Sequence, residues 1–235
     1  MSCTWTGAGP LSESTHREAS SAAPGSPRVG RFPLLAPDEL SDQQRDLYGA
    51  IAGPPRGNGP FSIVDETGRL NGPFNALLYS PAIGNAVQAL GAALRFGGSL
   101  PDRTRELVIC AVAAELESAY EWYAHSRVAT SVGISGTELN QLRDGEFPDT
   151  LTATESAALG LTRALLRGKT VGHEIHAAAL EHFGHEGITE LSVLVGYYRL
   201  LAGILAAGDV PVPPAGTGEP HIRPTDIHPT HTITT

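Results

Sequence analysis

The chain has 235 residues, of which 41% are hydrophobic and only 17% charged, with a formal net charge of −9. That length allows one large domain or two small ones, with enough apolar residues for a core. The acidic balance, without clustered Lys and Arg, argues against nucleic acid and against an anionic membrane surface. Cys3 and Cys110 are the two cysteines, one in a Ser/Gly-rich stretch and one in an apolar segment, so no structural disulfide and a reducing, cytoplasmic setting are expected. No N-terminal run resembles a signal peptide, and no uncharged apolar run approaches the ~20 residues of a membrane span.

Residues 1–30 are rich in Ser, Gly, Ala, Thr and Pro and read as a flexible tail, as does the Pro/Thr-rich segment 211–235. Between them, 31–210 reads as one helical domain. Ala36-Pro37-Asp38-Glu39-Leu40 is expected to start a helix reaching Ala52, which Gly53 to Pro60 then breaks. A loop follows to Pro73, then a short helix over Phe74 to Tyr79. Ser80-Pro81 opens the next helix, which Gly97-Gly98 ends after Phe96.

Pro101 suits the first position of another helix, and Asp102 favours its dipole. Leu107 to Ala114 carries no charge and reads as buried. A second segment closes at Gly133. Ser135 with Glu138, and Thr152 with Glu155, have capping-box spacing and predict helices to Arg143 and Arg167. Two more are expected, near Glu174 to Phe183 and from Ile188 to Ala207. No alternating run is long enough for a strand. The fold class is all-α, with about eight to nine helices.

The chemistry concentrates in Glu106 and in the segment Ser118-Ala119-Tyr120-Glu121-Trp122-Tyr123-Ala124-His125. Helical spacing sets Ser118, Glu121, Trp122 and His125 on one face. An i,i+4 Glu–His pair alone is often a solvated ion pair. Three aromatics in four residues argue instead for a sheltered imidazole able to exchange a proton near neutral pH. Glu106 is either a first-turn carboxylate serving the helix dipole or a partly buried acid facing that histidine, where desolvation would raise its pKa; Arg103 and Arg105 are the cations close in sequence. Cys110, four residues after Glu106, reads as an inert buried thiol. Tyr197, Tyr198 and Arg199 lie in the last apolar helix, which either packs the core or walls a pocket. His173, His176, His182 and His185 read as surface helix ends, and no metal, nucleotide or hydrolase-triad motif is present in the sequence. No metal and no cofactor are expected.

At these residues the chain resembles the carboxymuconolactone decarboxylase family of the alkylhydroperoxidase-like superfamily. The likeness rests on Arg105 to Ile109 (R-E-L-V-I), Tyr120 to His125 (Y-E-W-Y-A-H), Val132 to Ser135, and the flanks Gly72 to Pro81 and Thr189 to Tyr198. The resemblance implies an all-α fold, homo-oligomers (trimers, dimers or hexamers) with pockets near subunit interfaces, and no cofactor. It places Ser118 and Glu121 where the redox branch has its C-x-x-C, matches His125 to the family histidine and Glu106 to the upstream acid of the proton relay. Without the thiols, peroxide reduction has no chemical agent. What the resemblance then implies is a cofactor-free acid–base enzyme acting on a small carbonyl- or lactone-containing molecule by decarboxylation, isomerisation or cyclisation, a chemistry that family members also perform in natural-product pathways. His125 would be the general acid/base, Glu121 would orient and tune it, and Glu106 would relay a proton. Ser118, Tyr120, Trp122, Phe74 and Tyr197 are the candidate substrate-binding residues. The alternatives are a non-catalytic oligomeric binding protein of the same fold and a thiol peroxidase.

Overall fold

The computed structural model describes residues 30–58 and 62–213. The two tails expected from composition lie almost wholly outside these residues. Eight α-helices occur among the described residues: α1 (Asp42–Ala52), α2 (Pro73–Leu78), α3 (Pro81–Phe96), α4 (Asp102–Glu115), α5 (Ala119–Ser131), α6 (Gly136–Arg143), α7 (Ala153–Leu166) and α8 (His173–Gly208). No strand is present among them, only an isolated bridge between Val64 and Leu70. The all-α expectation therefore holds.

Three boundaries differ from expectation. The first helix does not run from Ala36: Pro37–Glu39 is a separate 3-10 turn and Leu40 is extended. The reason is local, because Ser41 and Gln44 form a capping box that starts α1 afresh at Asp42. Pro101 is the N-cap of α4 rather than its first helical residue. The last two expected helices are present as the two halves of α8, divided at the non-helical Gly184, whose φ of 60° and ψ of −171° no L-residue adopts readily; only the start of the second, directly after Gly184 and not at Ile188, differs. The capping boxes of α6 (Ser135, Glu138) and α7 (Thr152, Glu155) are both formed.

Helix α4 is the centre of the bundle. It packs against α5, α6, α7 and α8, and Leu107, Val108, Ile109, Cys110, Val112 and Ala113 are all within 1% of full burial. A charge-free run is what such an all-round environment requires. Full burial of Ile109 alone stabilises the fold by about 2 kcal/mol. The other core anchors include Leu47 and Ile51 on α1, Leu78 on α2, Leu159 and Leu161 on α7, and Leu191 and Leu194 on α8.

Arg103 staples three elements to the head of α4. Its guanidinium donates to Glu138 and to Glu155 Oε1 (2.8 Å), the two capping-box glutamates, and Nη1 donates to the Gly133 carbonyl. Of the two arginines near Glu106, this one is thus engaged elsewhere.

The reversal from α4 to α5 fixes the site. Ser118 N–H donates to the Ala113 carbonyl (2.9 Å) and Glu117 N–H to Ala114 (3.1 Å), which is a Schellman closure. Glu117 occupies its left-handed position at φ 51°. The matching closure after α5 uses Gly133, φ 88°.

One helix, α8, is long and apolar enough by length and composition to cross a membrane, with a mean hydropathy of 1.6 over its best window. Half of that window is buried inside the fold, where Leu191, Leu194, Val195 and Tyr197 serve the core. The expectation concerned uncharged runs and is not contradicted: Glu190 and Arg199 interrupt this helix well short of ~20 uncharged residues, and the window is apolar only as an average that tolerates such charges.

Candidate active site

Helix α5 enters the site through Ser118, its N-cap, whose side chain caps nothing. Tyr120, Glu121, Trp122 and His125 are all buried, as the aromatic density of the segment predicts. The solvated Glu121–His125 ion pair does not form. Instead His125 Nδ1 lies 2.8 Å from Glu106 Oε2, with Glu106 1% and His125 7% exposed. A carboxylate on Nδ1 holds that nitrogen as the N–H donor, so Nε2 keeps its lone pair for chemistry. Arg105, paired with Asp102 at 2.7 Å, approaches Glu106 Oε1 with Nε at 3.8 Å. The acid in contact with the imidazole is thus Glu106 and not Glu121.

Glu121 is different in kind. It is 3% exposed and neither oxygen makes a well-formed hydrogen bond, although the Ser118 hydroxyl lies near enough to interact with the carboxyl. Burial pushes the Glu121 carboxyl from an ordinary 4.5 up to about 8, with Ser118 offsetting only part of this. At neutral pH Glu121 is therefore largely a protonated acid, a donor rather than an anion.

Both Glu121 and His125 line a cavity together with Phe74, Tyr120, Tyr197 and Tyr198. Its empty space is about 490 Å³ including the mouth open to solvent. The edge of Tyr198 meets the His125 ring at 4.9 Å between centroids, nearly perpendicular. Burial pushes the Tyr198 hydroxyl well up, so it stays protonated. Two glycines make room for this wall. A Cβ at Gly91 would lie 2.1 Å from the Tyr197 hydroxyl oxygen, and one at Gly72 would lie 2.4 Å from the Tyr120 ring.

Of the residues expected from sequence, the structure brings together Glu106, Glu121 and His125 with Phe74, Tyr120 and Tyr197. Ser118 and Trp122 are buried close by on α5 but do not line the cavity. Sequence reasoning missed Arg56, Pro73, Gly91, Arg95, Ala124 and Leu201 in the lining; Tyr198, which it left between core packing and pocket wall, lines the cavity. The arginines carry no motif; an Arg near the end of the otherwise uncharged α3 was the one available signal.

Cys110 is fully buried, and burial, with Glu106 nearby, raises its thiol well above the usual range. Among the described residues no group of three or more His, Cys, Asp or Glu is placed to hold a metal ion. His173, His176, His182 and His185 lie along the first half of α8 and are no such cluster.

The fold and sequence have relatives. Residues 81–164, spanning α3 to α7, match the model of the carboxymuconolactone decarboxylase family. No curated protein matches the chain significantly. A peroxidase-related protein with an alkylhydroperoxidase AhpD core from Ralstonia eutropha JMP134 superposes with a TM-score of 0.60 at 18% identity, over 80% of this chain and 94% of that one. A putative antioxidant defence protein AhpD from Agrobacterium tumefaciens gives 0.55 at 20% identity, over 60% and 97%. The debrominase Bmp8 gives 0.59 at 16% identity, over 78% and 91%. The chain carries the alkylhydroperoxidase-like helical fold, and its stretch from α3 to α7 is similar to the carboxymuconolactone decarboxylase family.

Proposed function

We propose that the protein is a cofactor-free acid–base enzyme resembling carboxymuconolactone decarboxylase, acting on a small carbonyl- or lactone-containing substrate by decarboxylation, isomerisation or cyclisation, as in a natural-product pathway. The observation that carries this reading is the buried 2.8 Å contact of Glu106 with His125, set behind a cavity that His125 itself lines. All three reactions share one requirement. Electron density moves into a carbonyl, and a proton leaves or joins a neighbouring carbon. His125 Nε2 takes or returns that proton, and Glu106 holds the imidazole in place and stabilises its charged form. Glu121, neutral in its buried setting, donates a hydrogen bond to the carbonyl oxygen as it becomes enolate-like. In decarboxylation the carbon–carbon bond to the leaving CO₂ breaks, its electron pair enters the conjugated carbonyl, and protonation at carbon completes the step.

A thiol peroxidase mechanism finds no support in the site. Ser118 and Glu121 are not redox-active, and Cys110 is sealed in the core. A ligand-binding protein without turnover is the second reading, favoured by the narrowness of the cavity. The test is mass spectrometry of candidate acids and lactones incubated with the protein, scored for loss of CO₂ or for an isomer. Turnover that disappears in His125→Ala supports the enzyme; tight binding with no change in any ligand supports the binder.

We also infer that the protein works as a homo-oligomer in the cytoplasm. The outer faces of α3 and α8 are apolar, with Ile83 64%, Leu90 40%, Val193 37% and Leu200 42% exposed. A second copy is the simplest cover for such a face. Light scattering on the purified chain distinguishes a dimer, trimer or hexamer from a monomer. The unpaired thiol of Cys110 suits a reducing compartment.

A further inference from the structure

We propose that Arg95 and Arg56 form an anion clamp that selects substrates bearing a carboxylate, held beside the catalytic pair. The inference deepens the enzymatic reading by naming a ligand class, but it concerns binding alone.

Both guanidiniums line the same cavity as His125 and Glu121. Neither has an ion-pair partner among the described residues. Arg56, itself 8% exposed, stacks over the Phe74 ring at 5.1 Å, spends one donor on the Gln88 carbonyl at 3.1 Å and another on the Tyr197 hydroxyl. Arg95 leans on Phe96 at 5.8 Å. A guanidinium carries five N–H donors, so most of theirs remain to be satisfied. Burying an arginine costs free energy unless an anion meets it. In a chain of net charge −9, two cations around one small cavity are against the overall balance.

The unpartnered Glu121 carboxyl is the second, independent observation. It is more than nine-tenths buried, borders the same cavity and bonds to neither arginine. An acid left orphaned beside two cations is not their structural counter-ion. Their fields do meet in one place, at Tyr197: burial raises its hydroxyl, Arg56 and Arg95 pull it down, and Glu121 pushes it up.

A ligand with a planar carboxylate matches the fork of a guanidinium. Its apolar body would lie against Phe74 and the tyrosines, leaving the single Glu121 O–H for the substrate carbonyl. The closed end of the cavity is narrow, which favours a compact, singly charged acid.

Benzoate and benzamide serve as probes of equal shape and different charge, titrated by calorimetry or by protein-observed NMR at low salt. Benzoate should bind the wild type at least tenfold more tightly than benzamide. Arg95→Met, at a partly buried position and checked by thermal melt, should remove that preference and leave benzamide affinity within about twofold. Arg56→Lys, checked by thermal melt, should weaken benzoate through loss of the fork while retaining charge. Equal affinity of the two probes for the wild type, no detectable benzoate binding, or parallel loss of both in Arg95→Met would each overturn the clamp. The two readings fail separately: benzoate selectivity in a wild-type protein that turns over none of the candidate acids or lactones sinks the enzyme and spares the clamp, whereas turnover without that selectivity sinks the clamp and spares the enzyme.

Discussion

Glu106 Oε2 and His125 Nδ1 stand 2.8 Å apart although nineteen residues and a helix boundary separate them. The contact exists because the chain reverses at Glu117 and lays α5 back along α4. The polar pair is then enclosed by Tyr198 and the cavity wall. Low local dielectric strengthens such a hydrogen bond and makes each partner depend on the other.

Removing the imidazole should therefore abolish most chemistry. His125→Ala is expected to lower turnover by roughly 10²–10⁴-fold. Glu106→Gln keeps the shape but cannot stabilise an imidazolium, so kcat should fall with little change in KM. Steady-state kinetics on folded variants would check this; full activity in either variant contradicts the assigned roles.

Glu121 makes stability fall as pH rises. Its carboxyl titrates near 4.5 when unfolded but at about 8 when folded. Between those values the folded state holds a proton that the unfolded state has lost, so the slope of unfolding free energy with pH is negative there. The total penalty, complete above about pH 8, is on the order of 3–5 kcal/mol. Glu121→Gln should be more stable than wild type at alkaline pH and flatten the pH dependence of Tm. Parallel Tm profiles for the two proteins would contradict the burial argument.

The Arg103 staple predicts the opposite behaviour in acid. Burial raises Glu138, but hydrogen bonds from the Ser135 backbone, the Thr150 hydroxyl and Arg103 outweigh it and hold the carboxyl at about 2. Burial likewise opposes, and Thr152 and Arg103 override, at Glu155. Their stabilisation is present above the ordinary carboxylate value and is lost as pH falls from near 4.5 toward 2. Arg103→Met should cost about 2–3 kcal/mol at neutral pH, less than a fully buried pair because Arg103 is partly exposed. Urea unfolding at pH 7 and pH 3 would show the deficit shrinking in acid.

Glu117 occupies a position that glycine fills in the equivalent closure after α5, at Gly133. Left-handed backbone costs an L-residue about 1–2 kcal/mol. Glu117→Gly should raise stability by about 1 kcal/mol, after the extra entropy of the unfolded chain is counted. A lower urea midpoint would show that the Glu117 side chain has a role of its own.

Cys110 should be invisible to thiol reagents in the native protein and react stoichiometrically after unfolding, because no part of it reaches solvent. Thiol-dependent peroxide turnover by the folded protein would reopen the redox reading.

The helical class, the capping boxes at Ser135 and Thr152 and the burial of Leu107 to Ala114 were legible from sequence. Each is a local consequence of spacing within a few residues of one helix. The sheltered character of His125 was legible too, from the aromatics on its own turn. Tertiary structure alone decided which acid His125 meets. Glu121, one turn away on the same helix, looked the nearer partner; Glu106 wins because helix packing, not sequence distance, sets which side chains face each other. The same holds for Arg56 and Arg95. Their place in the cavity depends on where the 3-10 turn Arg56–Asn58, α3, α5 and α8 converge, information that no single segment of the chain contains.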